Sequence, residues 1–173
     1  MSSQQVSPLL ALEYEQLKEE QRARIGTRDN LVYATLGALA LIVGAVVQTG
    51  SPLLLLLVPL VCVTLGWTFL ANDDRITAIG AYVREVLGPE LTRLSAAEVE
   101  LFAWERRHRE DAGRPLRKLW QISVNLLLFC LTACAALVIV WSSQSVPMTM
   151  HLLAGAETVA VGALALRIVT TVR

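Results

Sequence analysis

A charged block, residues 72–118, divides this chain into two apolar halves, and nothing else in the sequence restricts the fold as much. It holds nine of the fifteen basic residues: Arg75, Arg84, Arg93, Arg106, Arg107, Arg109, Arg114, Arg117 and Lys118. Around it lie runs without any charge: 17 residues at 31–47, 20 residues at 52–71 and 23 residues at 119–141. A helix needs roughly 20 apolar residues to cross a hydrocarbon layer about 30 Å thick. A soluble four-helix bundle would need a polar face on each of these runs, and none has one. Composition agrees, with 54% hydrophobic residues and a mean hydropathy of +0.53 over 173 residues. Such a chain needs lipid or an unusually large core.

The first thirty residues are polar and lack the basic start, apolar core and small-residue cleavage site of a secretory signal. After Ser7-Pro8 a helix is predicted over 9–28, with Leu10, Tyr14, Leu17 and Ile25 on a narrow apolar stripe. That stripe suits a neighbouring helix or the headgroup layer; alternatively the helix is solvated and extends the first span. Span one is 31–47. A four-residue turn, Gln48-Thr49-Gly50-Ser51, leads to span two at 52–71, where Pro59 is expected to kink the helix or free a carbonyl. Trp67 falls near the polar boundary, where an indole is favoured. Span three is 119–141, between Trp120 and Trp141. Span four, 148–169, is more polar because it contains His151, Glu157 and Arg167, the last placed to snorkel.

Two amphipathic helices are expected in the charged block. Ile76, Ile79, Val83, Val86 and Leu87 share one face of residues 74–87, a helix stopped by Gly88-Pro89. Ser95-Ala96-Ala97-Glu98 has the form of a capping box opening a second helix, residues 95–111, with Val99, Leu101, Phe102 and Trp104 at its start and Arg106 and Arg107 at its charged end. Gly113-Arg114-Pro115 closes it. The organisation is therefore an N-terminal helix at 1–30, a transmembrane hairpin at 31–71, a helical connector at 72–118 and a second hairpin at 119–173. The fold class expected is all-α, a polytopic membrane protein with four transmembrane helices in two antiparallel hairpins. Basic residues cluster before span one, in the connector and at Arg167 and Arg173, and are missing from both remaining turns. The positive-inside rule places both termini and the connector in the cytoplasm of a plasma membrane protein.

Glu157 most needs a physical reason. It lies ten residues past Pro147, about 15 Å into span four and near the bilayer centre. A charged carboxylate there costs about 2.5–3.5 kcal/mol on insertion scales, so it must be neutral, hydrogen-bonded or turned to water inside a bundle. Thr35 and Gly37, Cys62 and Thr64, and Cys130 and Thr132 lie at matching depth on the other spans. Two roles fit: an ion or proton pathway, including a polar ring at an oligomer axis, or an acid that only bonds helices together. Small residues at Gly37 and Gly44, at Gly155 and Gly162, and at Ala156, Ala160 and Ala163 mark helix contacts.

Catalytic signals are missing. Cys62, Cys130 and Cys134 fall inside spans without CxxC spacing, and they read as small apolar fillers. His108 sits in a solvated charged run, and His151 near the interface. No phosphate-binding glycine loop, HExxH or nucleophile elbow occurs, so neither an enzyme nor a cofactor is expected. Glu105, Glu110 and Asp111 offset the basic run at Arg106, so lipid headgroups are a nearer partner than nucleic acid, which is not expected.

The segment from Glu13-Tyr14-Glu15 through Arg28-Asp29-Asn30, the span-turn-span after it and the helix following Asn72-Asp73-Asp74 resemble the layout of small bacterial effector membrane proteins of the SLATT type. The likeness covers about the first ninety residues; the hairpin from Leu119 onward departs from it. The chain is also similar to uncharacterised actinobacterial integral membrane proteins. The SLATT resemblance implies a pore-forming or membrane-permeabilising effector in nucleotide-signalled defence, and it supplies no catalytic residue. The alternative is a membrane scaffold or accessory subunit that docks a soluble partner through Ile76, Ile79, Val83, Phe102, Trp104, Arg106 and Arg107. Expected partners are thus the bilayer, further copies of the chain and a soluble cytoplasmic protein.

Overall fold

A computed structural model describes residues 3–95, 114–144 and 146–170, which are helical almost throughout and contain no strand. Four stretches are long and apolar enough to cross a membrane: Pro8–Thr49, Pro52–Leu94, Lys118–Ser142 and Met148–Thr170. The helices are α1 (Ser3–Thr49), α2 (Leu57–Tyr82), α3 (Gly88–Ser95), α4 (Arg114–Asn125), α5 (Thr132–Ser142) and α6 (Met148–Thr170). A 3-10 turn, Pro52–Leu56, precedes α2, and five- and six-residue π-turns, Val83–Leu87 and Leu126–Leu131, join α2 to α3 and α4 to α5.

Two expectations about proline are corrected. Ser7-Pro8 does not start the first helix, which begins at Ser3 and runs unbroken to Thr49 with Pro8 inside it. A proline so near a helix end forgoes one backbone bond where water can replace it. Pro59 falls in the first turn of α2, which the chain enters through a 3-10 turn with Pro52 in its own first turn. Gly88-Pro89 does not stop the helix over 74–87 either. The π-turn Val83–Leu87 comes first, with the Gly88 N–H donating to the Val83 carbonyl five residues back, and α3 then continues to Ser95. Widening the turn takes up the mismatch that the proline ring would impose on a regular α-helix.

The contacts group the residues into two units. In the first, residues 1–28 and 71–115, Val83, Leu87 and Leu91 are buried, and Leu10, Tyr14, Leu17 and Ile79 pack on them. The apolar stripe of the N-terminal helix therefore meets the continuation of α2. Ile25 stays outside this cluster, and Val86 is 49% exposed because the π-turn carries it off the buried face. Ser95 ends α3, while the rest of the capping box and the predicted helix, including Phe102, Trp104, Arg106, Arg107 and His108, lie outside the described residues.

The second unit, residues 29–70 and 116–173, holds the main core. Ala133, Ala136, Leu137 and Val140 form one face of α5, and Ala154, Val161, Leu164 and Ile168 one face of α6. Their spacing of three, four and seven is that of a helix stripe buried against neighbours. Gly50 closes α1 at φ 65°, its N–H donating to the Val46 carbonyl at 2.8 Å. That left-handed conformation suits glycine, which has no Cβ to clash. The first span is the one least buried by the chain itself.

Candidate intramembrane site

Glu157 is carried by α6 one turn beyond Ala154, a fully buried alanine. Its Oε2 is buried and has no hydrogen-bond partner among the described residues. The hydroxyls at matching depth are committed to their own helices: Thr35 donates to the Leu31 carbonyl at 2.7 Å, Thr64 to Leu60 at 2.7 Å, and Thr132 to Leu128. Each satisfies itself by bonding four residues back, which a hydroxyl readily does in an apolar helix. Thr35 is fully buried and Thr64 is exposed, so the three do not form one lining.

Two of the residues placed at that depth do come together. The Cys62 thiol lies 3.6 Å from Thr132 Oγ1 and donates to the Leu128 carbonyl at 4.0 Å. Cys62 and Cys130 are buried and Cys134 is exposed. Among the described residues no group of three or more His, Cys, Asp or Glu side chains is placed to hold a metal. His151 hydrogen-bonds the Pro147 carbonyl through Nδ1 at 3.2 Å and stacks edge-on to Trp141, ring centres 5.2 Å apart. Trp67, Trp120 and Trp141 are all more than half exposed.

Among the described residues the glycine stripes make no helix contacts. A Cβ added at Gly37, Gly44, Gly155 or Gly162 would meet nothing within 4 Å. Ala156 and Ala163 are exposed as well. Gly66 is tightly packed: a Cβ there would lie 2.9 Å from Leu164 Cδ2 and 3.1 Å from Phe129 Cγ. Phe129 in turn meets Phe69 at a ring distance of 5.7 Å. A single glycine inside the Leu- and Val-rich second span was the available signal for this close approach. Near the other end of α2, Val43, Val47, Leu55 and Ile139 line an open groove of about 530 Å³ whose wall is almost wholly apolar. It offers a ligand no orienting polar group, unlike a substrate pocket.

In the first unit, polar pairs join α1 to α2. Arg28 forms an ion pair with Asp73 at 3.0 Å, Arg24 bonds Asn72, Gln21 donates to the Ile76 carbonyl, and the Tyr82 hydroxyl donates to Glu13 at 2.9 Å. As the α1 number falls the α2 number rises, so these stretches run in opposite directions. Gln21, Arg24 and Arg28 repeat at three and four, a polar stripe beside the apolar one that went unread in the sequence. Val83 is fully buried and Ile79 partly so, both against α1. Two of the residues expected to receive a partner are thus covered by the chain's own N-terminal helix, while Ile76 contributes its carbonyl to Gln21.

Comparison with protein-family models, with curated proteins and with solved structures finds no match. The class of protein rests on the four apolar helices alone: they hint at a membrane protein.

Proposed function

We propose that this is an integral protein of the plasma membrane that assembles into an oligomeric pore and permeabilises the bilayer. Four spans lie in two antiparallel hairpins, with both termini and residues 72–118 in the cytoplasm. The observation that carries the reading is the Glu157 carboxyl, halfway along an apolar helix with one oxygen buried and without a hydrogen-bond partner among the described residues. An orphaned acid at bilayer depth is costly, and assembly around a hydrated path relieves it by supplying water or a second polar group. Support comes from the open glycines of α1 and α6, which leave room for backbones of further copies to approach. The layout shared with SLATT-type effectors fits the same reading.

Purified protein in phosphatidylethanolamine–phosphatidylglycerol vesicles is expected to release a trapped monovalent cation. Glu157→Gln removes the charge but keeps shape and hydrogen bonding, and it should lower that flux by tenfold or more. A wild-type protein that stays monomeric and passes no ion sinks the proposal. A second reading, a scaffold that docks a soluble partner, is favoured by Leu9, Leu12 and Val86, which remain exposed on the first unit. Crosslinking in cells that recovers no partner at this surface would count against it.

A further inference from the structure

The two π-turns have different origins. Val83–Leu87 is followed directly by Gly88-Pro89, and the proline accounts for it. Leu126–Leu131 contains neither proline nor glycine, and none of its residues requires a widened turn. A π-turn holds one residue more than the α-helical path it replaces, loses good hydrogen-bond geometry, and persists only where its surroundings reward it. Here the reward comes from one face of α2. Cys62 and Gly66, one turn apart on α2, both meet the widened segment. The Cys62 thiol bonds the Leu128 carbonyl and faces the Thr132 hydroxyl, which bonds the same carbonyl. Gly66 supplies the recess for Phe129, a ring only 1% exposed. Asn125, which enters the turn, is buried at 9% exposure.

We propose that Leu126–Leu131 is a conformational switch in the third span, held wide by the Cys62–Thr132 contact and the Phe129–Gly66 fit, and that it closes to α-helix when α2 withdraws. Closure winds the extra residue into the helix. Each α-helical residue turns about 100° and rises 1.5 Å, so α4 rotates by that angle relative to α5 and the span lengthens by that rise. Asn125 and Phe129 then leave the faces they now occupy, and a polar side chain changes its surroundings within the span. Packed helices move between discrete arrangements rather than deforming continuously, which makes one face of α2 enough to hold or release the turn. The switch does not require the protein to conduct ions, so it stands or falls apart from the pore.

The test is a nitroxide scan of residues 119–139 in the full chain, in phosphatidylethanolamine–phosphatidylglycerol vesicles, reading oxygen accessibility at each position. The background is Cys62→Ser, Cys130→Ala and Cys134→Ala, the serine keeping a hydrogen-bonding group beside Thr132. Accessibility should follow a 3.6-residue period on both sides of the turn with a phase break of about 100° between them. Thr132→Val should abolish the break, Thr132→Ser should keep it, and Gly66→Ala, which crowds Leu164 and the Phe129 ring, should abolish it independently of the hydroxyl. An unbroken period in the starting protein would overturn the proposal. A break that survives both Thr132→Val and Gly66→Ala would overturn it too, because the turn would then be a fixed packing feature. If Thr132→Val fails to reconstitute, Gly66→Ala decides by the same readout.

Discussion

Gly66 and Glu157 show two opposite demands a membrane helix makes on a residue. At Gly66 the demand is for absence: Leu164 and Phe129 occupy the volume a side chain would need. Gly66→Ala should destabilise the fold by about 1–3 kcal/mol, the usual cost of overpacking, whereas Gly155→Ala and Gly162→Ala should change stability little. Thermal unfolding in detergent of the three variants checks this, and equal effects at all three would show that Gly66 is not the tight position. At Glu157 the demand is for a partner not found among the described residues. Depth alone identifies the acid in the sequence; for Gly66 the sequence offers only its being the one glycine of residues 52–71, and the fold shows that it faces a ring.

Among the helices, composition and length were enough to read four apolar stretches and an all-helical chain. Proline and glycine punctuation misled, because each rule assumes a regular α-helix around the residue. At Pro8 the helix is already under way from Ser3, and at Pro89 a π-turn has already rearranged the bonds. Whether a helix widens instead of stopping depends on what packs beside it, which local sequence does not record. The paired stretch of α1 and α2 yields two predictions. Leu87→Ala, at a site 1% exposed, should cost about 2–5 kcal/mol and loosen the pairing, read as faster amide exchange over residues 10–17. A double-mutant cycle on Arg28 and Asp73 should give a coupling under about 1 kcal/mol, since both side chains are roughly a quarter exposed and salt screens them. The apolar cluster, not the ion pair, holds these stretches together.

For the whole molecule, charge separation carries the account. Fourteen of the fifteen acidic and thirteen of the fifteen basic residues lie in residues 1–30 and 72–118, and Glu157 is the acid left over. A chain so divided is expected to keep both charged blocks on one side of a bilayer, because moving either across is unfavourable. The pore and the scaffold both presuppose that arrangement. The most direct measurement places single cysteines at Ser51 and Gln144 in the two uncharged turns and at Arg93 in the connector, in a chain without its native cysteines, and labels whole cells with a membrane-impermeant maleimide. The account predicts labelling at 51 and 144 from outside, and at 93 only after the membrane is opened. Labelling of position 93 on intact cells, or protection of either turn, would contradict it.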